Sequence, residues 1–270
     1  MIRTLWTIVG ATVITLLMAG RVVVASWFRF RRMACLCDRS ERTWASTILR
    51  CAGAKVRLEV PEGLDWDQPF IVIANHQSWF DVFALMAHLP GRARFVAKEE
   101  LGRIPIFGRA WKTCGHISVD RSDRARAVAS LEAAARRMRD ERLAVILFPE
   151  GTRSLDGELH PFKKGAFVLA LQSGVPLLPV GIRGSREVMP KGSFRIRSGE
   201  IVIRVGEPIP VAGKGMAARD RLQDEGRARI LELMAPAGGG RNAGGTDPSP
   251  VPSTSNGSGS QTGAEPGSEA

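Results

Sequence analysis

The stretch Ala74-Asn75-His76-Gln77-Ser78-Trp79-Phe80-Asp81 sets an imidazole, a hydroxyl and a carboxylate within one turn of chain. A carboxylate held against an imidazole fixes its tautomer and stabilises the imidazolium. His76 would then be a general base able to take a proton from an alcohol, with Asp81 as its partner. The same residues also satisfy a structural pattern, in which Ser78 and Asp81 form a helix capping box and His76 is an ordinary loop residue. Both readings are open from this stretch alone.

Phe148-Pro149-Glu150-Gly151-Thr152-Arg153-Ser154 is the second constellation, with a carboxylate, a glycine, a hydroxyl and a guanidinium in four successive positions. Arg153 offers a planar fork of donors suited to a phosphate, and Gly151 lets the backbone approach a ligand closely. The bland alternative is a turn with a surface ion pair. His88 and His160 read as surface or loop histidines, His116 as structural, and Asp120 and Arg121 as partners of each other. No metal ligand set is expected, since Cys35-x-Cys37 is too short a spacing for a zinc pair and has no companion ligands.

Both constellations follow apolar runs that must be strands. Phe70 to Ile73 is β-branched without a helical period, and Leu143 to Phe148 is continuously apolar. Further strands are expected over Lys55–Val60, Arg94–Ala97, Gly115–Arg121 and Pro176–Ile182. Phe194–Arg197 and Ile201–Val205, on either side of Ser198-Gly199, suggest a hairpin. Helices are expected after Ser78, over Arg124–Arg142 with Ala125, Val128, Leu131, Ala135 and Met138 as its apolar stripe, over Gly165–Gln172, and over Met216–Leu233. Strands alternating with helices give an α/β fold: a mixed, largely parallel central sheet flanked by helices, with ligand loops at strand ends.

The 270-residue chain carries a formal net charge of +11, which favours anionic partners: phosphorylated substrates, an acidic membrane surface or an acidic carrier protein. No nucleic-acid module is visible, so nucleic acid is not an expected partner. The four cysteines make no disulfide framework in a chain this long, and reduced thiols facing the cytoplasm are expected. Residues 1–54 form an N-terminal membrane-associated helical segment. Leu5 to Phe28 is apolar or weakly polar and uncharged apart from Arg21, and Arg29, Arg31 and Arg32 follow it, favouring a domain on the cytoplasmic side (of the inner membrane in a bacterium). Spanning and lying in one leaflet both remain open. Thr43–Ala52 suggests a short amphipathic helix on the same surface. Residues 55–234 form the main domain, and the Gly/Ser/Pro-rich stretch 235–270 is expected to be a disordered tail.

Taken together, the two constellations resemble the glycerolipid acyltransferase superfamily, most closely its 1-acylglycerol-3-phosphate acyltransferases. The resemblance covers Phe70 to Pro210. It rests on Asn-His-x-x-x-x-Asp at Asn75–Asp81, Lys-x-Glu-Leu at Lys98–Leu101 and Gly-x-Ile-x-Val-Asp-Arg at Gly115–Arg121. Phe-Pro-Glu-Gly-Thr-Arg-Ser at Phe148–Ser154 and Val-Pro-Leu-Leu-Pro-Val at Val175–Val180 complete it, in the family's order. The resemblance implies transfer of an acyl group from acyl-CoA or acyl carrier protein to the sn-2 hydroxyl of lysophosphatidate, giving phosphatidate, without a cofactor. His76 and Asp81 would be catalytic; Lys98, Glu150, Gly151, Thr152 and Arg153 would bind substrate. The alternatives are the same chemistry on another lyso-lipid, a metal-dependent hydrolase using His76, Asp81 and His88, and a non-catalytic membrane scaffold.

Overall fold

Strand-forming runs and helical stripes alternate along the chain, and in this computed structural model, which describes residues 1–28, 30–119 and 124–236, they build one sheet covered on both faces. Helices α1 (Ile2–Trp27) and α2 (Met33–Ala52) precede strand β1 (Ala54–Glu59). Then come β2 (Ile71–Ala74), α3 (Trp79–His88), β3 (Ala93–Lys98), α4 (Phe107–Thr113), β4 (Ile117–Val119), α5 (Arg124–Glu141) and β5 (Ala144–Leu147). The chain continues through α6 (Gly165–Ser173), β6 (Leu177–Arg183), α7 (Ser185–Val188), β7 (Gly199–Val205) and α8 (Arg219–Met234).

The sheet order is β1-β7-β6-β2-β5-β3-β4, parallel throughout except where β7 runs antiparallel to β6. The expected mixed, largely parallel sheet is therefore present. Strands β2 and β5 are buried along their whole length, as their unbroken apolar runs require. One face packs on α2 and α3 through Leu49, Phe80 and Leu85. The other packs on α5, α6 and α8 through Met138, Phe167 and Ile230. A Cβ at Gly226 would stand 2.8 Å from Ile73 Cδ1, so glycine is what lets α8 lie directly on β2. Because β2, β3, β5 and β6 run in one direction, the loops after them emerge at one edge.

The expected hairpin at Ser198-Gly199 does not form. Residues 194–197 are irregular, and β7 pairs with β1 and β6 instead. The amide of Ile196 donates to Thr4 Oγ1 and that of Arg197 to the Val188 carbonyl, which takes the segment out of ladder register. Helix α2 is also longer than the expected Thr43–Ala52 and begins at Met33.

Helix α1 is long and apolar enough to cross a membrane. It nevertheless lies along the domain. Arg3 donates to the Ala52 carbonyl at 3.1 Å, Trp44 Nε1 to Thr15 Oγ1 at 2.7 Å, and Ala19, Val22 and Val23 are buried beside Cys37, Ala110 and Cys114. Its outer side exposes Leu5, Trp6, Val13, Leu17 and Trp27. The expectation of reduced cysteines is corrected for one pair: Cys37 and Cys114 form a buried disulfide across 77 residues, joining α2 to the end of α4. Sequence gives no signal for a pairing at that distance. In the chain-entropy picture a loop of this size stabilises the fold by roughly 4 kcal/mol. Asp120, Arg121 and the tail beyond residue 236 lie outside the described residues, as do the side chains of Ala125, Val128 and Leu131 in α5.

Candidate active site

β2 ends at Ala74, and Asn75 carries its hydrogen bonding one residue further. The buried Asn75 side chain donates to the Ile182 carbonyl at 2.8 Å and accepts from the Ile182 amide at 2.7 Å, fastening the strand end to β6. His76 is thereby set at the edge of the sheet. Its Nδ1 lies 2.8 Å from Asp81 Oδ2, and that oxygen also accepts from the amides of Gln77 (2.7 Å) and Ser78 (2.8 Å). Ser78 caps α3 by accepting from the Phe80 amide, completing the capping box with Asp81.

The His76–Asp81 contact and the capping box, one from each sequence reading of this stretch, are both present. One buried carboxylate closes the helix cap and holds the imidazole. With Asp81 accepting at Nδ1, that nitrogen carries the proton in the neutral ring, and Nε2 is the basic one. Phe148 stacks on the His76 ring with centroids 4.0 Å apart, a contact worth about 0.5–1.5 kcal/mol beyond the area it buries.

The loop after β5 wraps the same histidine. The His76 amide donates to Glu150 Oε1 at 2.7 Å, and the Ser154 amide donates to the His76 carbonyl at 2.7 Å. Glu150 is buried, and its other oxygen accepts from the His160 amide at 3.1 Å. Both carboxylate oxygens therefore engage backbone donors, one on the His76 turn and the other at His160. Gly151 sits at φ 73°, where a Cβ would also meet Lys163 Cε at 2.7 Å.

Arg153, half-buried, places its guanidinium over the ring of Trp79 at 4.9 Å from the centroid. Burial draws its pKa below the ordinary arginine value, and the Asp81 charge opposes that shift. The exposed Thr152 accepts from Lys191 Nζ at 3.2 Å. Lys98 stands exposed at the C-terminal end of β3, on the same edge as these loops.

His76, Asp81, Glu150 and Arg153 are thus brought together by direct contacts between their loops, while Lys98 shares only the edge. Asn75, Phe148, Trp79 and Lys191 escaped the sequence reading as site residues. Their partners are distant in the chain, and only the phenylalanine and asparagine had a strand-end position to mark them. The metal reading finds no geometric support at His88, whose Nδ1 lies against the Ala84 carbonyl at the far end of α3. Among the described residues, the one Cys/Glu cluster with metal-ligand spacing contains Cys37 and Cys114, whose sulfurs are bonded to each other.

Glu150 gives a pH test of the brace. Burial pushes its carboxyl above the ordinary range, against the pull of the His76 and His160 amides. A carboxyl raised in the folded state favours folding fully below its unfolded pKa, and the benefit is lost as pH rises through the folded value. The stability advantage of the wild type over Glu150→Gln is therefore expected to narrow as pH climbs above the ordinary glutamate range, read as thermal midpoints. An advantage constant with pH would show that burial does not govern this carboxyl.

A family model described as Acyltransferase matches residues 55–183. The 1-acyl-sn-glycerol-3-phosphate acyltransferase of Limnanthes douglasii is 42% identical over 139 residues, 52% of this chain and 50% of that protein. The 1-acyl-sn-glycerol-3-phosphate acyltransferase alpha of Homo sapiens is 33% identical over 182 residues, 67% of this chain and 64% of that one. The chain thus spans about half the length of the curated plant relatives it matches. The crystal structure of the 1-acyl-sn-glycerophosphate (LPA) acyltransferase PlsC from Thermotoga maritima superposes with a TM-score of 0.72 at 28% identity, covering 87% of this chain and 95% of that one.

Proposed function

We propose that the chain is a member of the acyltransferase family whose model its residues 55–183 match, and that it acylates the sn-2 hydroxyl of 1-acylglycerol-3-phosphate at a membrane surface. The observation that carries the reading is the His76–Asp81 pair at 2.8 Å, laced by backbone bonds to the loop that presents Arg153. A base and a guanidinium converge at one sheet edge, as a phosphorylated alcohol requires.

His76 Nε2 removes the proton of the acceptor hydroxyl as its oxygen attacks the thioester carbonyl. The tetrahedral intermediate collapses with release of the thiolate, which takes the proton back from the imidazolium. The products are an ester and a free thiol, and the histidine returns to its neutral form. Asp81 holds the ring in the reactive tautomer and stabilises the imidazolium between the two proton transfers. Arg153 binds the acceptor phosphate, with Lys98 adding a cation from β3. Gly151 and Thr152 shape the loop around the phosphate, and Glu150 contributes by bracing His76. The acyl donor is acyl-CoA or acyl carrier protein, each anionic and suited to a chain of net charge +11.

The exposed apolar side of α1 supports docking in the cytoplasmic leaflet, with the anionic surface met by the exposed Arg31 and Arg32. The contacts of α1 with the domain at both ends favour lying in one leaflet over crossing.

Incubating the purified chain with radiolabelled lysophosphatidate, phosphate-free lyso-lipids and a panel of thioester donors tests the substrate. Acylation of a phosphate-free acceptor but not of lysophosphatidate would refute it. In the same assay Arg153→Ala is expected to raise the KM for lysophosphatidate by about 10- to 100-fold, the loss of a charge-assisted contact, and to leave kcat nearly unchanged.

A further inference from the structure

We propose that Lys191 is a positioning residue of the acceptor site, holding the Thr152–Arg153 backbone so that the Arg153 guanidinium faces the acceptor phosphate. The proposal rests on the reading of Arg153 as the phosphate clamp. β6 runs parallel to β2, so its C-terminal end, α7 and the turn after it emerge at the edge that carries the site. From that turn Lys191 Nζ donates to the Arg153 carbonyl at 2.6 Å and to Thr152 Oγ1 at 3.2 Å. Two residues earlier, the Met189 carbonyl accepts from Ser78 Oγ at 2.7 Å.

One short turn is therefore fastened both to the cap of the helix that carries Asp81 and to the loop that carries Arg153. The turn is itself fixed, because the Met189 amide donates to Ser185, the Arg197 amide donates to Val188, and the Val188 side chain is fully buried. Arg153 is consequently held at two points, its side chain over Trp79 and its backbone by Lys191. An ammonium donating to a carbonyl makes a stronger bond than a neutral donor does. Both named donor contacts of Lys191 point into the protein loop, so its effect on the substrate runs through Arg153.

The test compares Lys191→Met and Lys191→Arg in the full-length enzyme, alone and with Arg153→Ala. Lys191→Met is expected to raise the KM for lysophosphatidate about tenfold, the fold-change of one lost charge-assisted bond, with kcat within about twofold of wild type. Lys191→Arg, which keeps charge and donors, should recover most of that loss. Amide hydrogen exchange across residues 148–157 should quicken about tenfold in Lys191→Met as the loop loses its tether.

In the Arg153→Ala background Lys191→Met should add less than about a twofold further change, because the two residues act as one unit. Unchanged exchange across 148–157 overturns the positioning role whichever way KM moves. Effects on KM that multiply overturn it too, by showing that Lys191 acts independently of Arg153. An Arg153→Ala enzyme with unaltered KM refutes the clamp reading instead, and the exchange measurement then still decides whether Lys191 holds the loop.

Discussion

Replacing His76 by alanine is expected to lower kcat for acyl transfer by about 10²- to 10⁴-fold, the usual contribution of a positioned general base, and to leave the fold intact. The acceptor hydroxyl is a poor nucleophile until its proton is taken, and the structure offers this one imidazole at the junction of both site loops. The fold should persist because the histidine's bonds to Glu150 and Ser154 run through its backbone amide and carbonyl, which alanine keeps. Single-turnover acylation alongside a thermal melt checks both halves. Full activity in a well-folded His76→Ala enzyme would remove the base from this site.

Asp81→Asn is expected to produce the second largest loss, about 10²- to 10⁴-fold in kcat, by a different route. Asp81 Oδ2 accepts three donors, two of them backbone amides of the turn. An asparagine oxygen in that place can keep the amides satisfied, so the helix cap survives in outline. It carries no charge to stabilise the imidazolium, and with the amide reversed it would force the ring into the other tautomer. Asp81→Ala should behave worse as a protein, since it leaves buried amides of Gln77 and Ser78 without a partner at about 1–3 kcal/mol each. Comparing the two variants by turnover and by melting temperature separates the charge from the cap. If Asp81→Asn turned over normally, the pair would be a capping device only.

The parts of this molecule readable from the sequence are those whose signal is local. Ile71–Ala74 and Ala144–Leu147 are strands because their apolar runs leave no helical alternative, and that alone delivered His76 and Glu150 to strand ends. The cap at Ser78 was visible for the same reason, since its pattern lies within four residues. What was hidden depends on pairs far apart in the chain. Asn75 meets Ile182 across 107 positions, Ser78 meets Met189 across 111, and Cys37 meets Cys114 across 77. The hairpin expected at Ser198-Gly199 does not form because β7 finds its partners in β1 and β6, both distant in the chain, and the local turn signal is overridden. The role of Glu150 shows the finer limit. A carboxylate in a loop advertises a ligand, and only the fold shows that its two oxygens also accept from the amides of His76 and His160.

Helix α1 is tied down near its start through Arg3 and Thr4, and near its end by the packing of Ala19 to Val23 over the disulfide. A rod clamped at two points cannot swing, so its oily flank and the sheet edge keep a constant offset. Immersion of that flank would then set the height of His76 above the acyl chains, much as a keel sets a waterline. Acceptors would arrive by sliding within the leaflet, and only those whose hydroxyl rides at that level would reach the imidazole.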